Sequence, residues 1–540
     1  MRVSFVLAAL ISFASIGWAA SAAHAQMAHN PLIWADVPDI SILRVGDDYY
    51  MSSTTMHMSP GLPIMASKDL VNWRMASYAY DTLADNEALR LENGKNAYGA
   101  GSWASSLRYR DGVFYASTFS STSGKTHVYT TRDVEHGPWK AAEFKPMLHD
   151  HSLFFDDDGR VYMVYGGGRI RIIELTADAS AVKPGGVDQV IIENATAVAG
   201  GVPGLNAEGS QLVKHDGKYY LFNIAWPRGD MRTELVHRAD AITGPYEGRV
   251  VLKDRGIAQG CLVDTPDGKW YAYMFEDHGA VGRIPYLMPV TWEDGWPVLG
   301  DDGKVPPELD IPAGAQGVSG VAGIVAADEF DRKEADASLP MAWQWNHNPD
   351  SELWSLSARP GFLRLTTGRV DAELTQARNM LTQRTYGPVS SATVAIDVSQ
   401  MKDGDVAGLA ALQRKYGYVG VAMNGGVKQV VMTGVESRRP GGPGRPVFEP
   451  VVQGRAELGD ASVVSLRIEC DFRERADTAR FYYSLDGETW TAIGELLKME
   501  YTLPHFMGYR FGLFNYATKT PGGSVDFDFY RIDGKLTSAP

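Results

Sequence analysis

Apolar and polar positions alternate in short runs through most of the chain, the pattern of strands with one buried face. A tight turn followed by paired aromatics recurs five times: Gly46-Asp47-Asp48-Tyr49-Tyr50, Asp111-Gly112-Val113-Phe114-Tyr115, Asp158-Gly159-Arg160-Val161-Tyr162, Asp216-Gly217-Lys218-Tyr219-Tyr220 and Asp267-Gly268-Lys269-Trp270-Tyr271. Each copy reads as a hairpin in which an alternating strand enters, the turn reverses it and an aromatic strand leaves. The copies lie 47 to 65 residues apart, the size of a four-stranded propeller blade. A weaker echo, Ser67-Lys68-Asp69 to Trp73 and Thr131-Arg132-Asp133 to Trp139, keeps the same phase in the first two copies. The pattern predicts an all-β chain that opens with a five-bladed β-propeller.

After residue 300 the texture changes. Residues 301–324 are rich in Gly, Pro, Ala and Asp and read as a linker. From Asp328-Glu329-Phe330 onward, short alternating segments such as Phe362 to Thr366, Thr393 to Val398, Ala479 to Ser484 and Val525 to Tyr530 predict a β-sandwich over 325–540. The propeller is expected over 26–300.

The N-terminus changes the picture differently. An acid-free apolar run after Arg2 ends at the small-x-small site Ala23-His24-Ala25, so residues 1–25 read as a signal peptide and predict export to a periplasm or the medium. No later run is long enough to span a bilayer. A net charge of -14 carries no basic footprint for nucleic acid. Two cysteines, Cys261 and Cys470, do not make a disulfide framework and are expected to be buried thiols.

The candidate chemistry lies at one repeat phase. Twelve residues before the second aromatic stand Trp103, Asp150, Glu208 and Gln259 in blades two to five, and eleven before it stands Asp39 in blade one. Equivalent positions on the innermost strands converge on the propeller axis. Three are carboxylates from three blades, and acids that share a funnel repel one another, an arrangement that marks acid–base chemistry or a metal site. Glycosidic-bond hydrolysis needs two carboxyl groups, with a third to tune the donor, and Trp103 suits the apolar face of a sugar. Calcium is the competing reading, but no D-x-D-x-D-G loop is present. Asp36, three residues before Asp39, is the rival base with the poorer phase.

These residues resemble glycoside hydrolase family 43. Asn30-Pro31 through Asp39-Ile40-Ser41-Ile42 is similar to its N-P…D-x-P-D-P-S-I opening, Asp150-His151-Ser152-Leu153-Phe154 to its D-P-S-L-F, Glu208-Gly209-Ser210 to its E-G-P and Trp103-Ala104-Ser105 to its W-A-P. Gly282-Arg283-Ile284-Pro285 and Pro289 to Pro297 resemble blade five of its β-xylosidase and α-L-arabinofuranosidase branch, and Trp343 to Pro349 the concanavalin-like C-terminal module of that branch. The resemblance implies an inverting, exo-acting hydrolase of xylo- or arabino-oligosaccharides that needs no cofactor for its chemistry. Asp39 would be the general base, Glu208 the general acid and Asp150 its pKa modulator. Arg283, Trp103 and Gln259 would line the substrate site, with His57 on its rim and Phe506 reaching it from the second domain. Asp328 and Asp526 would be candidates for a structural calcium. Ile40, His151 and Ser210 replace prolines of the family pattern. Ala258 replaces a histidine that serves an axial ion or water network, a role lost here or taken by His149, His151 or His57. A carbohydrate-binding protein on a degenerate propeller is the alternative, and the presence of all three acids favours the enzyme. A retaining fructan-type hydrolase is a third reading, but its motifs around the nucleophile are absent.

Overall fold

The computed structural model describes residues 27–314, 319–332, 338–438, 447–502 and 505–537, so the signal peptide read at 1–25 lies outside the described residues. Five four-stranded antiparallel sheets follow one another along the chain around a central axis. Their innermost strands are Ser41–Val45, Ser106–Arg110, Ser152–Phe155, Pro203–His215 and Ala258–Asp264, in blades I to V. Asp111-Gly112 and Asp216-Gly217 make two-residue turns in which both residues have positive φ, 51° and 78° in the first, 47° and 76° in the second. Glycine takes that conformation without strain and Asp tolerates it, hence the repeated dipeptide. In blades III and V the ladders end earlier, at Phe155 with Val161 and Asp264 with Trp270, so the same dipeptide sits inside a longer loop.

The ring is closed by polar ties as well as packing. The Asn30 side chain donates to the Leu287 and Pro306 carbonyls at 2.7 and 2.8 Å, and accepts from the Leu287 amide at 3.0 Å. Arg44 of blade I meets Asp264 of blade V at 3.2 Å. Glu308–Pro312 pairs with Met27–His29, so the stretch read as a linker contributes a strand that fastens the N-terminal end of the propeller.

The second region is a sandwich of two eight-stranded sheets. The outermost strand of one sheet is Met58–Ser59 from blade I, paired with Gln344–Asn346. One continuous apolar cluster holds Phe222, Met274 and Tyr286 of blades IV and V together with Leu409, Phe511 and Phe527 of the sandwich. The two regions therefore share both a sheet and a core. The motif Trp343 to Pro349 is the docking tongue. Gln344 Nε2 donates to Thr55 Oγ1 and the Pro60 carbonyl, His347 Nε2 accepts from the Ala97 amide, and Asn348 Nδ2 donates to the Ala84 carbonyl. Cys261 and Cys470 are both buried and unpaired. Among the described residues no helix is long and apolar enough to cross a membrane.

Candidate active site

The repeat phase has a backbone signature. Asp39, Asp150 and Gln259 are left-handed, with φ of 53°, 46° and 57°, and in blade IV the kink falls on Gly209, φ 67°, next to Glu208. A non-glycine residue held there costs on the order of 1 kcal/mol, and such strain collects at functional sites. The kink interrupts the pleat of the inner strand or of its entry in four blades, and Trp103 of blade II joins their side chains at the mouth. At Gly209 an added Cβ would lie 2.7 Å from the Gln259 side chain, which would have to move away.

Three groups form a tight cluster in the mouth. His149 Nε2 lies 3.1 Å from Glu208 Oε2 and 3.9 Å from Asp150 Oδ2. The Gly209 amide donates to Asp150 Oδ2 at 3.0 Å. Asp39 stands outside this cluster, where its Oδ1 accepts from Arg283 Nη1 at 2.8 Å and both side chains are buried. Burial raises the Asp39 carboxyl above its ordinary value against the opposing charge of Arg283, with Asp36 and Glu208 adding to the rise. Burial pushes Asp150 up to about 7, opposed by His149 and reinforced by Glu208 and Asp39. For His149, burial works downward, but the Glu208 hydrogen bond and the Asp150 charge push it up to about 9. The mouth therefore holds a surplus of carboxyl groups over cations, with protons shared among them.

The other residues read from sequence divide into two groups. Arg283 Nη2 donates to the Phe506 carbonyl at 3.2 Å, and its guanidinium lies 4.7 Å over the Phe506 ring. That ring in turn meets Trp103 at 4.9 Å. Arg283, Phe506 and the half-buried Trp103 thus form a wall beside Asp39, with Gln259 against Gly209 on the Glu208 side. Asp36 is occupied structurally, accepting from the Arg283 amide at 2.7 Å and the Gly508 amide at 3.1 Å, which ties blade V and the Phe506 loop together. His57 is not on the rim. It is buried at the domain junction, where Nε2 pairs with Asn346 Oδ1 at 2.9 Å and the ring packs on Tyr98 and His347, and burial lowers it to about 3. A histidine in a loop looks the same in sequence whether it faces solvent or a docking domain. His151 is likewise internal, bonded to the Leu148 carbonyl and Ser117 Oγ.

Two metal readings fail on the donor chemistry. Asp328 accepts from Arg332 Nη1 and Nη2 at 2.9 and 2.7 Å and from Trp343 Nε1 at 3.0 Å. Asp526 accepts from Arg364 Nε and Nη2 at 2.7 and 2.8 Å and from Arg359 at 3.1 Å. Guanidinium forks take both oxygens of each carboxylate, so the expected calcium pair is replaced by ion pairs. The half-buried Arg108 guanidinium of blade II donates to Ser41 Oγ of blade I, Ser152 Oγ of blade III and Gln211 Oε1 of blade IV, at 3.2, 2.8 and 3.3 Å. Its positive charge thus ties blade II to blades I, III and IV. Arg108 escaped the sequence reading because it lies outside the acid phase. The His149, Asp150 and Glu208 donor atoms lie within 4.8 Å of one another, with the imidazole Nε2 hydrogen-bonded to Glu208.

A five-bladed propeller whose axis opens onto an acid cluster, walled by an arginine and aromatics, defines a glycoside-cleaving class of enzyme. The description "Glycosyl hydrolases family 43" matches residues 28–297, and "Beta xylosidase C-terminal Concanavalin A-like domain" matches 327–533. The chain belongs to glycoside hydrolase family 43 and is a glycosidase. It is 30% identical to a β-xylosidase of Formosa agariphila over 93% of this chain and 90% of that protein. It is 28% identical to a non-reducing end α-L-arabinofuranosidase of Bacteroides ovatus over 73% of this chain and 75% of that one. A solved structure described as a bifunctional GH43-CE of Bacteroides eggerthii is 60% identical, with a TM-score of 0.90 over 95% of this chain. The chain spans 64% of the length of that protein.

Proposed function

We propose that the protein is an exported, exo-acting hydrolase that releases xylose or arabinose from hemicellulose oligosaccharides with inversion at the anomeric carbon. Asp39 removes a proton from a water whose oxygen attacks that carbon. The glycosidic C–O bond breaks as Glu208 gives its proton to the leaving oxygen, and Asp150 orients and tunes Glu208. Arg283 and Trp103 hold the departing sugar. The observation that carries the reading is the division of the mouth: Asp39 sits on Arg283, apart from the cluster of Glu208, Asp150 and His149. An inverting mechanism needs base and acid on opposite sides of the sugar with room for a water, whereas adjacent carboxylates suit retention. The Phe506 loop over Arg283 favours attack from a chain end, since it walls one side of the mouth. The β-xylosidase and α-L-arabinofuranosidase relatives support xylose or arabinose as the sugar released.

The test is release of p-nitrophenol from the β-D-xylopyranoside and the α-L-arabinofuranoside by wild type, Asp39→Asn and Glu208→Gln, with the anomer of the first-formed sugar read by proton NMR. Turnover on one sugar with inversion, lost in Asp39→Asn and strongly reduced in Glu208→Gln, is expected. A retained anomer, or turnover undiminished in both variants, overturns the assignment. A folded protein inert on both sugars returns the carbohydrate-binding reading.

A further inference from the structure

His149 is the one group in the mouth that the acid–base reading leaves without a role. It precedes Asp150 on the approach to the inner strand of blade III, and its carbonyl is fixed by the Gly166 amide at 3.0 Å. The ring stands edge-on to Phe119 of blade II at 5.3 Å and lies against Gly167, where a side chain would meet both the ring and Glu208 Oε2 at about 3.8 Å. The titratable groups that face it are Glu208 from blade IV and Asp150 and His151 from blade III, with Asp39 beyond Asp150; Phe119 and Gly167 bring no charge. The imidazole is about two-fifths exposed, so one edge touches Glu208 and another reaches solvent.

We propose that His149 is a positioning residue that holds the Glu208 carboxyl through Nε2 and restores its proton after each turnover. This rests on Glu208 being the general acid. Once Glu208 has given its proton to the leaving oxygen it is a carboxylate 3.1 Å from the imidazolium N–H. The N–H bond breaks, the proton moves to Glu208 Oε2, and the electron pair stays on Nε2 of neutral imidazole. Solvent water reprotonates the imidazole through its exposed edge. The proton that Asp39 took from water leaves to solvent with the product, so the cycle closes without a co-reactant.

The experiment compares wild type, His149→Gln, His149→Ala and Glu208→Gln on two glycosides of the preferred sugar, one with 2,4-dinitrophenol and one with an unactivated sugar as leaving group, across pH 5 to 9. A good leaving group needs no acid. His149→Gln keeps an N–H toward Glu208 but cannot shuttle a proton. It is expected to lose about tenfold in kcat on the disaccharide, little on the dinitrophenyl glycoside, and to move the alkaline limb of the disaccharide profile down by about one pH unit. His149→Ala is expected to lose more on the disaccharide, since positioning goes too. Equal losses on both leaving groups, or an unmoved limb in His149→Gln, overturn the proposal. The Glu208→Gln arm separates the two readings. If it discriminates between leaving groups and His149→Gln does not, only the His149 role falls; if it fails to discriminate, the acid assignment itself falls.

Discussion

In the sandwich, Asp328 and Asp526 each meet guanidinium groups at both oxygens, Arg332 in one case and Arg364 with Arg359 in the other. In the propeller mouth, Asp39, Asp150 and Glu208 share one guanidinium and one imidazole. Both groups of acids are mostly shielded from water. Burial without a matching cation raises the proton affinity of a carboxyl, and that is what acid–base chemistry needs; burial with a fork on each carboxylate fixes its charge and braces a fold. Counting cations against acids separates working carboxylates from structural ones, and the count needs the fold.

The largest effect that sharpens this contrast is in the mouth. Asp39→Asn and Glu208→Gln are each expected to lower kcat on the disaccharide by about 10²–10⁴-fold; Glu208→Gln leaves thermal stability little changed, whereas Asp39→Asn removes the charged partner of the buried Arg283 and costs stability as well. Scanning calorimetry beside steady-state kinetics reads both. The mirror image belongs to the sandwich. Asp328→Asn removes the partner of a mostly buried Arg332 and is expected to cost about 3 kcal/mol of stability, with kcat intact at a temperature where the variant is folded. A loss of kcat there would erase the distinction between the two acid groups.

Glu234 is a surplus acid of a third kind, buried in blade IV away from any cation. Its Oε2 accepts from the Gln259 amide at 2.7 Å, while Oε1 has no partner among the described residues. Burial pushes it up to about 8, against the opposing Gln259 hydrogen bond, so it stays protonated near neutrality. The folded group binds its proton more tightly than the unfolded one. Stability from this site is therefore complete below pH about 4.5 and is lost progressively as pH rises toward 8. Glu234→Gln is expected to flatten that slope and to gain up to about 3 kcal/mol at pH 7, read as melting temperature against pH. An unchanged slope would mean that the carboxyl is paired after all.

Much of this was legible in the chain because repetition supplied a ruler. The turn copies set five blades, and counting back from Tyr50, Tyr162 and Tyr220 reached Asp39, Asp150 and Glu208. The sandwich lacks an internal repeat, so Asp328 and Asp526 rest on the family resemblance of this module alone, and the arginines that claim them come from other strands or from a neighbouring turn. His57 failed for a related reason: its partners Asn346 and His347 lie almost 300 residues away and no local pattern announces them. Arg108 carried no signal beyond being a basic residue on an inner strand, yet three blades converge on it. Phase within a repeat predicts convergence; pairing between distant segments does not follow from phase.

The smallest predicted effect concerns Phe506, which brings the sandwich to the mouth. Its ring lies under the Arg283 guanidinium at 4.7 Å and against Trp103 at 4.9 Å, while its carbonyl accepts from Arg283 Nη2. Phe506→Ala keeps the carbonyl and removes the ring, so it isolates the stacking. A half-exposed cation–π contact is worth about 1 kcal/mol, which corresponds to roughly a fivefold fall in kcat/KM. The ring is partly exposed and outside the shared core, so the melting temperature should barely move. Phe506→Tyr should recover most of the loss. If kcat/KM is unchanged in Phe506→Ala, the sandwich only braces the propeller through its shared sheet, and the mouth is the work of the propeller alone. If the loss appears in KM with kcat unchanged, the ring holds sugar rather than arginine, because loosening Arg283 would also disturb Asp39 and lower kcat.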